Sequence, residues 1–145
     1  MTRDRIVHAA RLWIGTPYHH QASLRGVGAD CLGLVRGVWR DVCGAEPGAI
    51  PPYSPDWSEA AREERLWEAA RAHLVEVDRP PTAGDVVLFR MRRGMVAKHL
   101  GIVTSRMIGG SFVHAYQGHG VIESPLSDPW RRRAVSFFEF PECEA

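Results

Sequence analysis

The 145 residues contain no asparagine, so a Cys-His-Asn triad is excluded by composition alone. Lysine occurs once, at Lys98, and the other seventeen basic residues are arginines. Acidic residues balance them to a formal net charge of +1, so the chain as a whole lacks the charge of a nucleic-acid binder. Cysteine is scarce: Cys31, Cys43 and Cys143 make an odd number with no close pair. That argues against a disulfide framework and against a zinc ribbon. The seven histidines include His19 and His20 but no His-Glu-x-x-His, so no metal site and no cofactor are expected. Apolar runs long enough to span a membrane are also missing, which argues against a membrane partner. The opening stretch MTRDRIVHAARLWIG sets Arg5 and Arg11 inside its apolar pattern and has no separate hydrophobic core or cleavage site. It reads as a domain helix, and the protein is expected to be made in the cytoplasm without a signal peptide.

The length suits one domain, residues 1–145, with a real hydrophobic core. Helical periodicity runs from Arg3 to Ile14, with Thr2 as cap and Gly15 as stop. TPYHHQASLRGVGA reads as a loop. A second helix is expected from Asp30, with Leu34, Val35, Val38 and Val42 as its stripe and Gly44 as its end. Gly33 and Gly37 share one face of it, where another backbone is expected to pack closely. EPGAIPPYSPDW reads as a Pro-rich surface loop. Asp56 and Glu59 then fit a capping box for a third helix carrying Leu66, Trp67, Ala70 and Leu74. The second half switches to strands in DVVLF, HLGIVT, SFVHAY and AVSFFEF. Helices first and strands after predict an α+β fold, N-terminal helices packed on an antiparallel β-sheet. Basic residues cluster at Arg90, Arg92, Arg93 and Lys98 and again at Arg131–Arg133. A solvated face is the plain reading, and a patch for an anionic polymer or partner is the sharper one.

The chemistry gathers at Cys31. Asp30 is a good N-cap, which puts Cys31 in the first helical turn. Unpaired amides and the helix dipole favour an anion there. A thiol so placed can fall from about 8.5 towards roughly 3.5–7.5, above all beside a histidine. The same amides can donate to an oxyanion once the thiolate has attacked a carbonyl. Two strand histidines, His99 and His114, are candidate bases. Alternation groups His99 with Gly101 and Val103, and His114 with Phe112 and Tyr116. Gly101 is expected to leave room for the helix start, and strand pairing to bring the imidazoles together near Cys31. A nucleophile, a base and an orienting group follow the general triad logic. With asparagine absent, His114 is the available orienter, with Gln117 and His119 as weaker substitutes.

Five stretches in order carry a resemblance: Gly15–Tyr18, Asp30–Val35, Ala83–Phe89, His99–Val103 and Phe112–Ala115. The sequence resembles the NlpC-type cell-wall cysteine peptidases, a papain-like α+β family. More closely, it resembles the short phage-type members, including the predicted cell-wall peptidases carried by gene transfer agents of alphaproteobacteria. The resemblance implies a nucleophile at Cys31, a base at His99 and an orienting group at His114. It implies substrate contacts for Tyr18 and Asp30. The implied substrate is bacterial peptidoglycan stem peptide, cut at γ-D-glutamyl–diaminopimelate-type bonds. The implied setting is the tail tip of a phage-like particle, with hub or fibre proteins as partners and the cell wall or periplasm as the place of action. Two departures from the family pattern fall in the substrate region: Leu32 stands where serine is common, and His19–Ala22 replaces an aromatic and two glycines. Two other classes stay open: a catalytically silent structural tail component, and an amidase or acyltransferase using the same Cys-His pair.

Overall fold

A computed structural model describes residues 2–48, 53–55, 57, 62–106 and 109–142. Asp56, Glu59 and Cys143 lie outside them, and with them the proposed capping box. In chain order the elements are α1 (Arg3–Leu12), β1 (Ser23–Leu24), β2 (Gly28–Ala29), α2 (Cys31–Cys43), α3 (Arg65–His73), β3 (Val75–Val77), β4 (Val86–Phe89), β5 (His99–Ser105), β6 (Ser111–Tyr116), β7 (Gly120–Pro125), α4 (Asp128–Arg133) and β8 (Ala134–Glu139). Six strands form one antiparallel sheet in the order β3-β8-β4-β5-β6-β7. The strands β1 and β2 form a two-stranded ribbon inside the segment expected to be a plain loop. The strands β3 and β7 and the short α4 were not anticipated either.

Helix α2 begins where its cap dictates: Asp30 Oδ1 accepts from the Gly33 amide at 2.7 Å. Leu34, Val35, Val38 and Val42 are all buried, as the stripe predicts. At about 1.5–3 kcal/mol per buried aliphatic side chain, this face is enough to seat the helix. Gly33 does meet a backbone: a Cβ there would lie 1.8 Å from the Ala22 carbonyl oxygen. Gly37 meets a side chain instead, since its Cβ would lie 2.0 Å from the Trp13 ring. Trp13 is in turn held by its indole N–H, which donates to Asp41 at 3.2 Å. Cys43 ends α2 and is disulfide-bonded, a bond not anticipated from the cysteine count, which argued against a disulfide framework. Among the described residues Cys31 is the free cysteine.

The pleat sorts the sheet residues onto two faces. Val86, Leu88, Leu100, Ile102, Val113 and Ala115 face the core shared with α1 and α2. Val87, Phe89, Val103 and Phe112 face the other way, into a smaller cluster closed by Leu126 and by Trp130 of α4. His99 and His114 alternate onto this second face.

A buried carboxylate ties the chain's flanks together. Asp85, with no exposed side-chain surface, accepts from Arg3 at 2.8 Å, from Arg79 at 2.7 and 3.1 Å and from the Thr82 amide at 2.8 Å. Arg3 and Arg79 also grip Glu139 of β8, at 2.8 and 3.0 Å. Burial alone would raise the Asp85 carboxyl, but the two guanidiniums and the amide outweigh it and hold its pKa below the ordinary value. A depressed carboxylate stabilises the fold fully above the unfolded pKa of about 3.9 and stops doing so as pH falls through the lower folded value. Asp85→Asn is expected to cost about 1–3 kcal/mol in urea unfolding at pH 7, because it weakens buried hydrogen bonds. The variant should also lose part of the acid dependence of stability. Equal stability of variant and parent at pH 7 would contradict this role.

Candidate active site

Cys31 is the first residue of α2 and 6% exposed. Its Sγ lies 3.8 Å from the Lys98 carbonyl oxygen, and the backbone amides of Leu100, Leu32 and Cys31 itself point to the sulfur. Lys98 and Leu100 flank His99, so the helix start meets β5 on both sides of the histidine. Cys31 and His99 line one cleft together with Tyr18, His20, Asp30, Tyr53, Trp57, Met91, Arg92 and Tyr116.

The two imidazoles meet as the strand pairing predicts. His99 Nε2 lies 2.8 Å from His114 Nδ1, and His114 Nε2 lies 2.9 Å from the Ser124 hydroxyl. Two proton arrangements are open to this chain. In one, His99 Nε2–H donates to His114, His114 Nε2–H donates to Ser124, and His99 Nδ1 is left as a free acceptor. Only this arrangement presents a base. Trp130 packs edge-on to His114 at 5.1 Å and beside His99 at 5.7 Å, covering the pair from the small cluster. Gly101 serves this packing and not the helix: its Cβ would lie 2.7 Å from the Phe112 ring. The expectation that it makes room for α2 is therefore corrected.

Electrostatics also depart from expectation. Burial, reinforced by the Asp30 carboxylate, pushes the Cys31 thiol up to about 12, although the three amides oppose the shift. The helix start was expected to lower it, but a dry site outweighs a partial dipole charge. Burial likewise lowers His99 to about 3, with His114 adding to the effect, and lowers His114 to about 4, with His119 adding. The resting pair is a neutral thiol and a neutral imidazole.

Asp30 does more than cap. Its Oδ2 accepts from the Gln21 amide at 2.8 Å and from the Tyr53 hydroxyl in a short hydrogen bond. His20 Nδ1 lies 3.7 Å away. Tyr18 pairs with Ala29 in a parallel bridge, and burial with the nearby Cys31 and Asp30 raises its phenol to about 12. Tyr53 stacks on Trp57 at 4.2 Å, and its carbonyl accepts from Gln21 Nε2 at 2.6 Å. Trp57 is buried, so the segment read as a surface loop packs inward at these two aromatics. Ser124, Tyr53 and Trp130 were not singled out in the sequence. The β-branched stretch VIES was the available signal for the strand carrying Ser124. Gln117 lines the cleft, and His119 stacks on Tyr116 at 5.2 Å.

Helices laid on an antiparallel sheet, with a thiol at a helix start against a strand histidine, define a papain-like α+β fold. Solved structures share it. An NlpC/P60 family protein from Bacillus cereus aligns with a TM-score of 0.66 at 17% identity, covering 97% of this chain and 40% of that one. The NlpC/p60 domain of the peptidoglycan hydrolase SagA aligns with a TM-score of 0.61 at 23% identity, covering 97% of this chain and all of that one (100%). The NlpC/P60 family profile matches residues 15–139, and the chain belongs to that family. Murein DD-endopeptidase MepS/Murein LD-carboxypeptidase of Escherichia coli K12 is 30% identical over 132 residues, 90% of this chain. The chain spans 59% of that relative's length.

Proposed function

We propose that this chain is a peptidoglycan hydrolase, a cysteine endopeptidase of wall stem peptides. The observation that carries the reading is the Cys31 sulfur set against both backbone neighbours of His99, whose ring is chained to His114. Cys31 is the nucleophile, His99 the base and His114 the positioning group. As Sγ attacks the scissile carbonyl carbon, its proton passes to His99 Nδ1. The first-turn amides donate to the oxyanion. Collapse breaks the C–N bond, the leaving amine takes the proton from His99, and a thioester remains. Water, deprotonated by His99, hydrolyses that thioester and restores the thiol. Thiol and imidazole suffice for each step, so no metal or other cofactor is invoked.

Tyr18 and Asp30 line the substrate side of the cleft. The bond cut is of the γ-D-glutamyl–diaminopimelate type. Residues 1–145 act as one domain, made in the cytoplasm and working at the cell wall in the tail of a phage-like particle, beside hub or fibre proteins. This setting rests on the resemblance of the sequence motifs to short phage-type members. Digestion of purified sacculi with EDTA present, with fragments identified by mass, tests the activity. Release of stem fragments ending in D-glutamate is expected. Unchanged sacculi would overturn the enzymatic reading, and a cut at the glycan–peptide amide would make the chain an amidase.

A further inference from the structure

The arginines of this chain fall into two populations. Eight of them, among them Arg3, Arg79 and Arg90, form ion pairs with carboxylates. Arg92 and Arg93, in the β4–β5 connection, and Arg131 and Arg132, in α4, have no carboxylate partner among the described residues. All four are exposed. Asp128, one turn earlier in α4, forms no ion pair with either α4 arginine.

The two groups form one surface. The Arg90 amide donates to the Arg133 carbonyl at 2.7 Å, and Phe89 pairs with Ala134, so the β4–β5 connection lies against the end of α4. Arg133 extends the patch over the Trp130 ring, at 5.3 Å. Arg92 also lines the cleft with Cys31 and His99, so the patch continues directly from the site. A net charge of +1 makes this local excess a feature of placement, not of composition. A single-sign field beside a cleft attracts a polymer or ligand of opposite charge.

We propose that this rim is a docking surface for the wall polymer itself, taking the free carboxylates of stem peptides next to the one in the cleft. The inference rests on the peptidoglycan reading above. Guanidinium forks match carboxylates bidentately. Exposed pairs are individually weak and salt-screened. A single soluble peptide therefore gains little from the rim, while a polymer engaging several arginines at once gains by multivalency.

The test separates docking from chemistry. A Cys31→Ala background prevents cleavage and allows cosedimentation with sacculi stripped of phosphodiester polymers. Joint Arg93→Glu, Arg131→Glu and Arg132→Glu substitution is expected to weaken this binding at least tenfold. Raising salt should weaken the parent's binding in the same way. A matching Arg→Gln triple, with thermal unfolding checked for both, should weaken it less. With Cys31 intact, the Glu triple should cut a soluble stem peptide at the parent rate and intact sacculi about tenfold more slowly. Undiminished binding by the Glu triple overturns the proposal. So does binding that requires teichoic-type phosphodiesters, or equal binding to single-stranded DNA. If the parent cuts no stem peptide, the enzymatic reading fails and the sedimentation result still decides the docking.

Discussion

Cys31→Ala is expected to reduce turnover on wall peptide by at least about 10⁴-fold, to the uncatalysed background, and His99→Ala to do nearly the same. Each removes one half of the proton-transfer pair, so the effects should not add in the double variant. The fold should survive, because Cys31 contributes only a small side chain to the core and alanine leaves the Asp30 cap intact. The pH profile carries a second expectation. As the proposed base, His99 works only when neutral, and burial lowers its pKa to about 3. The acid limb of kcat/KM should therefore lie well below the ordinary imidazole value of about 6.5. Alkylation of Cys31 by iodoacetamide with no substrate bound should rise steadily towards alkaline pH, because burial holds the thiol up at about 12. An acid limb near about 6.5 would mean that His99 titrates at its ordinary value, and a fast, pH-independent alkylation around neutral pH would mean a resting thiolate–imidazolium pair and a different first step. Full activity of His99→Ala would reject the pair altogether.

His114→Ala is expected to lower kcat by about 10²–10³-fold, less than loss of either reacting group, because the nucleophile and base remain. His114→Asn or His114→Gln should regain part of it, since an amide oxygen can accept from His99 Nε2–H, the role that His114 Nδ1, 2.8 Å away, takes in the arrangement that presents a base. Ser124→Ala removes the 2.9 Å contact at the far end of the chain and should cost about tenfold or less, with KM unchanged. Steady-state rates on wall peptide for the four variants rank these roles. If His114→Ala matches the parent while Gln117→Ala is inactive, the orienting residue has been misassigned.

Much of this site was legible because local rules and tertiary structure agree there. An aspartate before an apolar stripe is a cap, and Asp30 caps. Period-two alternation put His99 and His114 on one sheet face, and register brought them together. Other features depend on quantities a sequence does not display. Thiol acidity is a contest between the helix dipole and desolvation, and only the depth of burial at Cys31 settles its direction. Gly37 and Gly101 were legible as close approaches, but the neighbours are the rings of Trp13 and Phe112. Tyr53 was hidden in a Pro-rich stretch whose composition signals a loop and says nothing of a hydroxyl turned onto Asp30. Ser124 lies on a strand that opens at Gly120 and ends at Pro125, where breakers masked a short run of β-branched residues.

The Asp85 clamp has a topological corollary. Because Arg3 and Glu139 meet at 2.8 Å, the start of α1 and the end of β8 leave the domain side by side. A circular permutant that joins these flanks by a short Gly-Ser linker, with new termini opened at Gly118, would span a gap of only a few residues' reach. The domain is by the same geometry suited to sit as an insert within a surface loop of another protein, its cleft presented away from the graft.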